Sequence, residues 1–300
     1  MLGDGNRILS FGSLNIDKIY KVPNIVRPGE TLSSQGISQN VGGKGLNQSI
    51  ALSKAGSKVY HAGAVGKEDG QVLIETLKAE NVDTQYILEK DMLSGTALIQ
   101  VDPNGQNSII LYAGANKSLR EEEVETILSD FSAGDYIILQ NEINQLPKII
   151  SLASEKGMTI FFNPSPLNEE VFNCDLSKIN WFFVNEIEAA QLSGQAAYDQ
   201  ETLDILIKKY PAAHFVITLG EHGSLCYYEG NVYEQGVHKV TAVDTTGAGD
   251  TFTGYFITTF RETNDIELAL KYASIASGIA VSRPGASSSI PSIDEVKKNA

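Results

Sequence analysis

Short apolar strands alternate with helices throughout the second half of the sequence, and this alternation limits the possible folds more than any other feature. The predicted strands are rich in β-branched or aromatic residues and lie at 136–140, 159–163, 181–184 and 214–218. The predicted helices lie between them, at about 146–155, 186–192 and 201–210. This pattern predicts an α/β fold with a mainly parallel, doubly wound sheet and helices on both faces.

Two regions of the first half interrupt this alternation. Short strands are predicted at 18–22 and 31–38, and a hairpin at 96–112 turns at Pro103-Asn104-Gly105-Gln106. Their many polar residues suit a small sheet that is open to solvent on one face. We therefore expect one domain, residues 1–300, with a small accessory sheet from about 15–40 and 93–113 inserted into the α/β core.

Helix ends are indicated by local signals at two places. Ser118-Leu119-Arg120-Glu121 has the form of a capping box and predicts a helix that runs to about Phe131. The last long helix is predicted at about 266–281 and stops at Arg283-Pro284-Gly285-Ala286.

Composition excludes several classes of protein. The 300 residues are 42% hydrophobic and 20% charged, as in globular proteins that are soluble in water. The net charge of −14 argues against a nucleic-acid or anionic-membrane surface. Two cysteines fit a reducing compartment, no run approaches 18 apolar residues, and Met1–Asn6 lack the pattern of a signal peptide. We expect a cytoplasmic enzyme or binding protein.

A glycine-rich turn at 244–250 is the strongest candidate site. Lys239–Val243 reads as a strand before it, and Phe252, Tyr255, Phe256 and Phe260 have the spacing of a buried helix face after it. The N–H groups of Ala248, Gly249 and Asp250 would then form an anion site at a helix N-terminus. The Asp250 carboxylate would take the proton of an attacking hydroxyl there. The alternative is that Asp250 only caps the helix.

A second glycine-rich helix start lies at 42–48, with Lys44 and Asn47 as possible donors. It matches neither the Walker A loop nor the G-x-G-x-x-G fingerprint, and turn chemistry alone remains an alternative. Polar residues also follow the predicted strands, where ligands bind in sheets of this kind. They are Asn15, Asp17, Asn141, Glu142, Asn163, Asn185 with Glu188, and Gly220. None of the four histidines is given a catalytic role.

Three motifs, at 42–47, 185–188 and 244–250, resemble those of the ribokinase-like (PfkB) carbohydrate kinase family. Further similar segments lie at 12–17, 113–116, 142, 218–220 and 283–286, so the resemblance spans nearly the whole chain in the same order. It implies an ATP-dependent sugar kinase with a Rossmann-like core and a β-sheet lid, often paired with another lid in a homodimer. D-ribose is the expected sugar and D-ribose 5-phosphate the product. The implied cofactors are ATP, Mg²⁺ and a monovalent cation, K⁺ above others.

The resemblance also assigns roles to individual residues. Sugar hydroxyls would be held by Asn15, Asp17, Gly43, Lys44, Asn47 and Glu142. Asp250 would be the base, and the anion hole would be formed by Gly247, Ala248 and Gly249. The nucleotide would contact Asn185, Thr218, Gly220, Gly223, Gly249 and Ser274, with Asn185 and Glu188 near magnesium and the phosphates. The monovalent cation would be ringed by Asp244, Thr246, Ala280, Arg283, Gly285 and Ser289.

Two positions depart from the family pattern, because Ser274 is shorter and Leu46 bulkier than the usual residue.

Other functions also stay open. A kinase for another sugar or for a nucleoside is one, although the residues Ala97, Ile99 and Val101 offer no aromatic platform for a base. A sugar-phosphate kinase would need more cations than Lys44 and Arg27. A non-catalytic sugar-binding regulator is the alternative from another class, and a nicotinamide dehydrogenase is disfavoured by the missing dinucleotide fingerprint.

Overall fold

The computed structural model describes residues 6–300 and confirms the α/β fold. A nine-stranded sheet has the order β13-β12-β11-β10-β9-β8-β1-β4-β5. Its strands are β1 Ile8–Phe11, β4 Val59–Gly66, β5 Asp83–Lys90, β8 Tyr136–Gln140, β9 Thr159–Asn163, β10 Trp181–Asn185, β11 His214–Thr218, β12 Ser224–Tyr228 and β13 Asn231–Gln235. All neighbours are parallel except β12, which runs antiparallel to both β11 and β13.

A second sheet of four strands has the order β3-β2-β6-β7. The strands are β2 Asn15–Lys21, β3 Gly36–Gly42, β6 Gly95–Val101 and β7 Asn107–Tyr112. Only β2 and β6 are parallel; the two outer pairs are antiparallel. We call this the small sheet.

Residues 6–300 also contain nine α-helices, besides short 3₁₀ turns. They are α1 Lys44–Lys54, α2 Gln71–Ala79, α3 Glu121–Ser129, α4 Leu146–Glu155, α5 Glu186–Ser193, α6 Thr202–Lys209, α7 Ala248–Thr263, α8 Ile266–Val281 and α9 Ile293–Lys298. Within residues 6–300, none of these helices has the length and apolar character needed to cross a membrane.

The large sheet is buried on both faces because successive strand residues point to opposite sides. Ile137 and Leu139 belong to the core that α3, α4, α5 and α6 cover, whereas Ile138 belongs to the core beneath α1, α2, α7 and α8. The carboxyl ends of the central strands therefore open between two helical layers. That edge receives the start of α7.

Three local predictions are wrong. Lys239–Val243 is not a strand but an exposed connection, whose end is tied by the N–H groups of Val243 and Asp244 to the carbonyl of Val281. The strand expected at 31–38 lies at Gly36–Gly42, where it finds β2 as its partner. Helix α3 begins at Glu121, not near Ser118, since the Glu123 carboxylate accepts the Arg120 N–H at 2.9 Å.

Candidate active site

The glycine turn places the N-terminus of α7 at the carboxyl edge of the large sheet. Gly247, the residue before the helix, has a φ of +74°, which suits a residue without a side chain. Within residues 6–300, the N–H groups of Gly247, Gly249 and Asp250 meet no acceptor, whereas that of Ala248 makes a long bond of 3.3 Å to Thr245. The turn thus presents free donors, although Ala248 is partly engaged.

The Asp250 carboxylate is buried directly behind these amides. Its Oδ2 accepts the side-chain amide of Asn47 at 3.0 Å, and its Oδ1 accepts that of Gln48 at 2.9 Å. Burial raises the pKa of Asp250, while Lys44 and the two amides act in the opposite direction. A buried carboxylate that is held by two side-chain amides and lines a cavity is suited to accept a proton from a bound ligand.

Lys44 is the cation of the site. Burial alone would lower the pKa of its ammonium group, but Asp250, Glu142 and Glu188 outweigh that effect and the pKa is raised. Lys44 therefore stays charged and faces three carboxylates drawn from different parts of the chain.

Glu142 supports the second glycine turn. Its Oε2 accepts the backbone N–H of Lys44 at 2.9 Å and also the hydroxyl of Ser13. Gly43 has a φ of +93°, and a Cβ there would lie 3.1 Å from the Ser13 carbonyl oxygen. These contacts fix the start of α1 against the segment after β1, so that Lys44 and Asn47 are directed towards Asp250.

Asn15 and Asp17 lie on β2, at the border between the small sheet and the core. Asn15 Oδ1 accepts the side-chain amide of Asn116 at 2.7 Å, which leaves the NH₂ group of Asn15 available to a ligand. Burial, with a smaller contribution from Glu142, raises the pKa of Asp17 to about 6. Within residues 6–300 the Asp17 carboxylate meets no side-chain donor, so it suits a ligand that brings hydroxyl groups.

Two neighbouring cavities meet at the start of α7. The smaller, of about 220 Å³, is lined by Lys44, Asn163, Glu188 and Asp250 among others. The larger, of about 690 Å³, is lined on one side by Gly220, Gly223 and Ser274. The residues common to both are Asn185, Thr218, Thr245, Ala248, Gly249 and Phe252. A ligand that extends from one cavity into the other passes the free amides of the turn.

Asn185 and Glu188 form a reciprocal cap at the start of α5. The Asn185 side chain accepts the N–H of Glu188 at 2.8 Å, and Glu188 Oε2 accepts the N–H of Asn185 at 3.1 Å. Within residues 6–300, the second carboxylate oxygen of Glu188 receives no hydrogen bond, and the residue lines the smaller cavity.

The two residues that depart from the family pattern, Ser274 and Leu46, lie in different surroundings. Ser274 donates to the Gly236 carbonyl at 2.9 Å and accepts the His238 N–H at 3.1 Å, so it anchors a wall of the larger cavity. Leu46 is fully buried in the core beneath α1 and lines neither cavity. Its bulk is therefore accommodated by core packing.

The residues expected around a monovalent cation lie on two adjacent turns. Asp244 Oδ1 accepts the N–H of Thr246 at 2.9 Å and its hydroxyl at 2.6 Å, while Oδ2 accepts the N–H of Gly285 at 2.9 Å. Asp244 therefore joins the turn before α7 to the segment after α8. Arg283 and Ser289 lie in that segment, and Ala280 lies in the last turn of α8. The Arg283 guanidinium pairs with Glu295 at 2.5 Å, which leaves the backbone of that residue as its possible cation ligand.

Sequence reasoning missed two residues that hold the site together. Gln48 bonds Asp250, and Asn116 bonds both Asn15 and the backbone of Leu14. The signal for Gln48 was its position directly after Asn47, and Asn116 lay in a segment that carried the family resemblance without a role. The roles given to the other site residues stay predictions.

Comparison with known proteins identifies the class to which this protein belongs. The model of the pfkB family of carbohydrate kinases matches residues 6–293. The chain therefore belongs to the pfkB carbohydrate kinase family, and it is a sugar kinase.

Sugar kinases from several organisms are similar to this chain over nearly its whole length. A ribokinase of Haemophilus influenzae is 32% identical over 297 residues, 95% of each chain. A deoxyribokinase of Salmonella typhi is also 32% identical over 297 residues, 96% of each chain. Among solved structures, the ribokinase of Cryptococcus neoformans in complex with ADP has a TM-score of 0.86 and 33% identity, covering 98% of this chain and 100% of that one.

Proposed function

We propose that this protein transfers the γ-phosphoryl group of ATP to D-ribose and forms D-ribose 5-phosphate. One observation carries the proposal: a buried carboxylate, Asp250, lies behind the free backbone amides of α7 where two cavities meet. The name of the Haemophilus influenzae relative supports ribose as the sugar, and solved ribokinases in complex with ADP, and with ribose and ATP, support the nucleotide.

The sugar lies between the small sheet and α1 in this proposal. Asp17 accepts hydroxyl protons of the sugar, Asn15 and Lys44 donate to hydroxyl oxygens, and Asp250 orients the hydroxyl that attacks. Asp250 takes the proton of that hydroxyl during the transfer, since its buried carboxylate lines the smaller cavity beside Lys44. Gly43, Asn47 and Glu142 keep these groups in position.

Charge on the transferred phosphoryl group is stabilised by fixed donors. The amides of Gly247, Ala248 and Gly249 and the ammonium of Lys44 face the position where that charge develops. These donors belong to helix starts that are packed against the core, so they need little rearrangement during the reaction. A closed small sheet would exclude water and suppress hydrolysis of ATP.

The nucleotide occupies the larger cavity in this proposal, in contact with Thr218, Gly220, Gly223 and Ser274. Magnesium fits beside Asn185 and Glu188, because Glu188 offers an unpaired carboxylate oxygen at the smaller cavity. When bound with ATP, magnesium neutralises part of the charge of the phosphates. We further propose that the enzyme acts in the cytoplasm, where two reduced cysteines are stable.

A monovalent cation, K⁺ above others, is proposed at the two turns that Asp244 joins. The donor set fits, since it combines one carboxylate with hydroxyl and backbone oxygens of Thr246, Ala280, Arg283, Gly285 and Ser289. A cation there would neutralise Asp244, whose charge otherwise opposes phosphate binding at the neighbouring turn.

The small sheet is proposed to act as a lid and to pair with a second copy of this chain. The ladders place Asp17 on the same face as Ile19, Ile99, Ile109 and Leu111. On that face an apolar run crosses β2, β6 and β7 at Ile19, Ile99 and Ile109, whereas Ser38 and Asn40 of β3 are polar. The opposite face also exposes Ile110, but Lys18 and Gln100 interrupt it. The exposed apolar surface, together with the outer edges of β3 and β7, which have no strand partner within residues 6–300, favours a partner sheet.

A substrate panel tests the proposed reaction. ADP release with ATP is measured for D-ribose, 2-deoxy-D-ribose, other pentoses, hexoses and nucleosides. We expect the highest kcat/KM for D-ribose; a preference for 2-deoxy-D-ribose is the second candidate, which the relative from Salmonella favours. Sugar binding without any ADP release would instead support a non-catalytic sugar-binding regulator.

A further inference from the structure

A line of buried side-chain amides leads from the middle of the large sheet to Asp250. Gln140 ends β8, Gln48 lies in the second turn of α1, and both side chains are fully buried. Gln140 Nε2 donates to Gln48 Oε1 at 2.7 Å, and Gln48 Nε2 donates to Asp250 Oδ1 at 2.9 Å. Two amides and one carboxylate thus form a continuous hydrogen-bonded line.

The order of donors and acceptors in this line is set at Asp250. An ionised carboxylate only accepts, so Gln48 must present its NH₂ group to Asp250 and its oxygen to Gln140. Gln140 must then turn its own oxygen towards Gly12, where that atom is buried and meets no donor within residues 6–300. A buried acceptor without a donor is unfavourable. The line therefore leaves the Gln140 oxygen without a donor within residues 6–300, while it supplies a donor to the Asp250 carboxylate.

Asn47 completes the fixation of the carboxylate from the other side. Its amide donates to Oδ2 at 3.0 Å, so each oxygen of Asp250 receives one protein donor and keeps one lone pair for a ligand. The charged groups that face Asp250 are Lys44 on α1 and Glu142 after β8, and Glu188 on α5 faces Lys44. Within this arrangement Gln48 is a neutral donor that favours the ionised form.

We propose that Gln48, ordered by Gln140, is a positioning residue that holds the Asp250 carboxylate in one orientation and keeps it ready to accept a proton. The effect on rate rests on the proposed phosphoryl transfer. The effect on Asp250 itself exists in the free protein and is measured without turnover.

Gln48→Met tests the inference because it preserves the length of the side chain and removes the donor. Losing a donor to the ionised form raises the pKa of Asp250, by on the order of one pH unit. The carboxyl ¹³C shift of labelled aspartate in the free protein reports this pKa, with the Asp250 signal assigned by its loss in Asp250→Asn. The acid limb of kcat should move to higher pH by the same amount, while KM for ATP stays unchanged. Gln140→Met should shift both in the same direction by less.

Ser49→Ala is the matched control. Ser49 follows Gln48 on α1, is fully buried and bonds His61 at 2.7 Å, so its loss disturbs the same helix without touching Asp250. We expect an unchanged pKa of Asp250 in this variant. An equal shift in Ser49→Ala, or no shift in either glutamine variant, would overturn the inference; if Gln48→Met does not fold, Gln140→Met decides. Failure of the unaltered protein to phosphorylate ribose would contradict the proposed function, and the carboxyl titration would still decide the role of Gln48.

Discussion

The start of α7 and the small sheet contribute to the same site, but they are built differently. Helix α7 is buried without interruption from Asp250 to Thr259, and it packs between α1 and α8. In the small sheet, by contrast, the four residues after Gly36 in β3 are all exposed. Asp250, proposed for chemistry, is thus held by core packing, whereas Asn15 and Asp17, proposed for sugar binding, lie on an open sheet.

Two sets of side-chain hydrogen bonds link the small sheet to the core. At the base of β6, the N–H and hydroxyl of Ser94 donate to Asp69 at 3.0 and 2.7 Å, and Ser94 Oγ accepts the N–H of Gly66 at 2.9 Å. A second link is the bond between Asn116 and Asn15. Few anchoring contacts are expected where an element must move relative to the core. Substitutions in the two regions should therefore separate turnover from sugar binding.

The largest effect is expected at Asp250. Asp250→Asn removes the proton acceptor, so kcat should fall by about 100-fold to 10,000-fold while ribose and ATP still bind. Steady-state kinetics and calorimetric titration measure the two quantities separately. Asp265→Asn is the control, because Asp265 caps α8 through the N–H of Leu268 and asparagine caps a helix equally well. Near-normal turnover of Asp250→Asn would contradict the assignment of Asp250 as the base.

A smaller effect, confined to sugar binding, is expected at Asp17. Asp17→Ala should weaken ribose binding by roughly 1.5–3 kcal/mol, since a charged hydrogen-bond partner is lost, and should leave ATP binding unchanged. Lys18→Ala is the control, because adjacent strand residues point to opposite faces. Calorimetry that finds equal ribose affinity in Asp17→Ala and the unaltered protein would place Asp17 outside the site.

The pKa of Asp17 adds a pH dependence to the same comparison. A pKa of about 6 means that Asp17 is mostly ionised at pH 7 and mostly protonated at pH 5. Ribose affinity should therefore fall about tenfold between these values, because the protonated carboxyl accepts fewer hydroxyl protons. Asp17→Asn should be weaker at pH 7 and should lose most of this dependence. An equally steep fall in Asp17→Asn would assign the titration to another group.

The lid pairing can be tested with two adjacent residues of β7. Ile109 is 52% exposed on the Asp17 face and Ile110 is 61% exposed on the opposite face. Ile109→Lys should weaken the dimer by roughly 1.5–3 kcal/mol per subunit, the value of one buried isoleucine, and Ile110→Lys should not. Sedimentation equilibrium of the three proteins measures this difference. A monomeric unaltered protein at micromolar concentration, or equal weakening by both variants, would contradict the proposed interface.

The smallest effect is expected for the monovalent cation. Turnover in K⁺ should exceed turnover in Na⁺ severalfold at matched ionic strength, because the cation steadies the turn that carries the amides. Asp244→Ala should abolish the difference, and choline chloride serves as the reference without a metal cation. Equal rates in K⁺, Na⁺ and choline would exclude the proposed site.

The sequence predicted the core better than the site. The strands at 136–140 and 214–218 and the helix at 266–281 match the structure to the residue, because their hydrophobic pattern agrees with burial. Lys239–Val243 has the β-branched content of a strand but finds no neighbouring strand, and backbone pairing cannot be read from local composition. Asn163 and Asn185 could be placed at the carboxyl edge of the sheet because they end or directly follow predicted parallel strands.

The supporting contacts could not be predicted. Gln48 approaches Asp250 across 202 positions of sequence, and Asn116 approaches Asn15 across 101. A buried glutamine has the same local signature as an exposed helical glutamine, since its burial depends on the packing of distant elements. Motif positions therefore predict which residues bind ligands, but not which side chains hold those residues in place.

The bond between Asp244 and Gly285 has a consequence for the biosynthesis of the enzyme. A ribosome makes residues 244–250 well before residue 285, and Gly247 also packs against Ala286, with 3.2 Å between the Ala286 Cβ and a Cβ built on Gly247. A nascent chain that ends before this segment contains Asp250 and the glycines without the clamp that shapes them. We infer that the proposed site takes its final shape late in translation, after the β/α units of the core have already been synthesised.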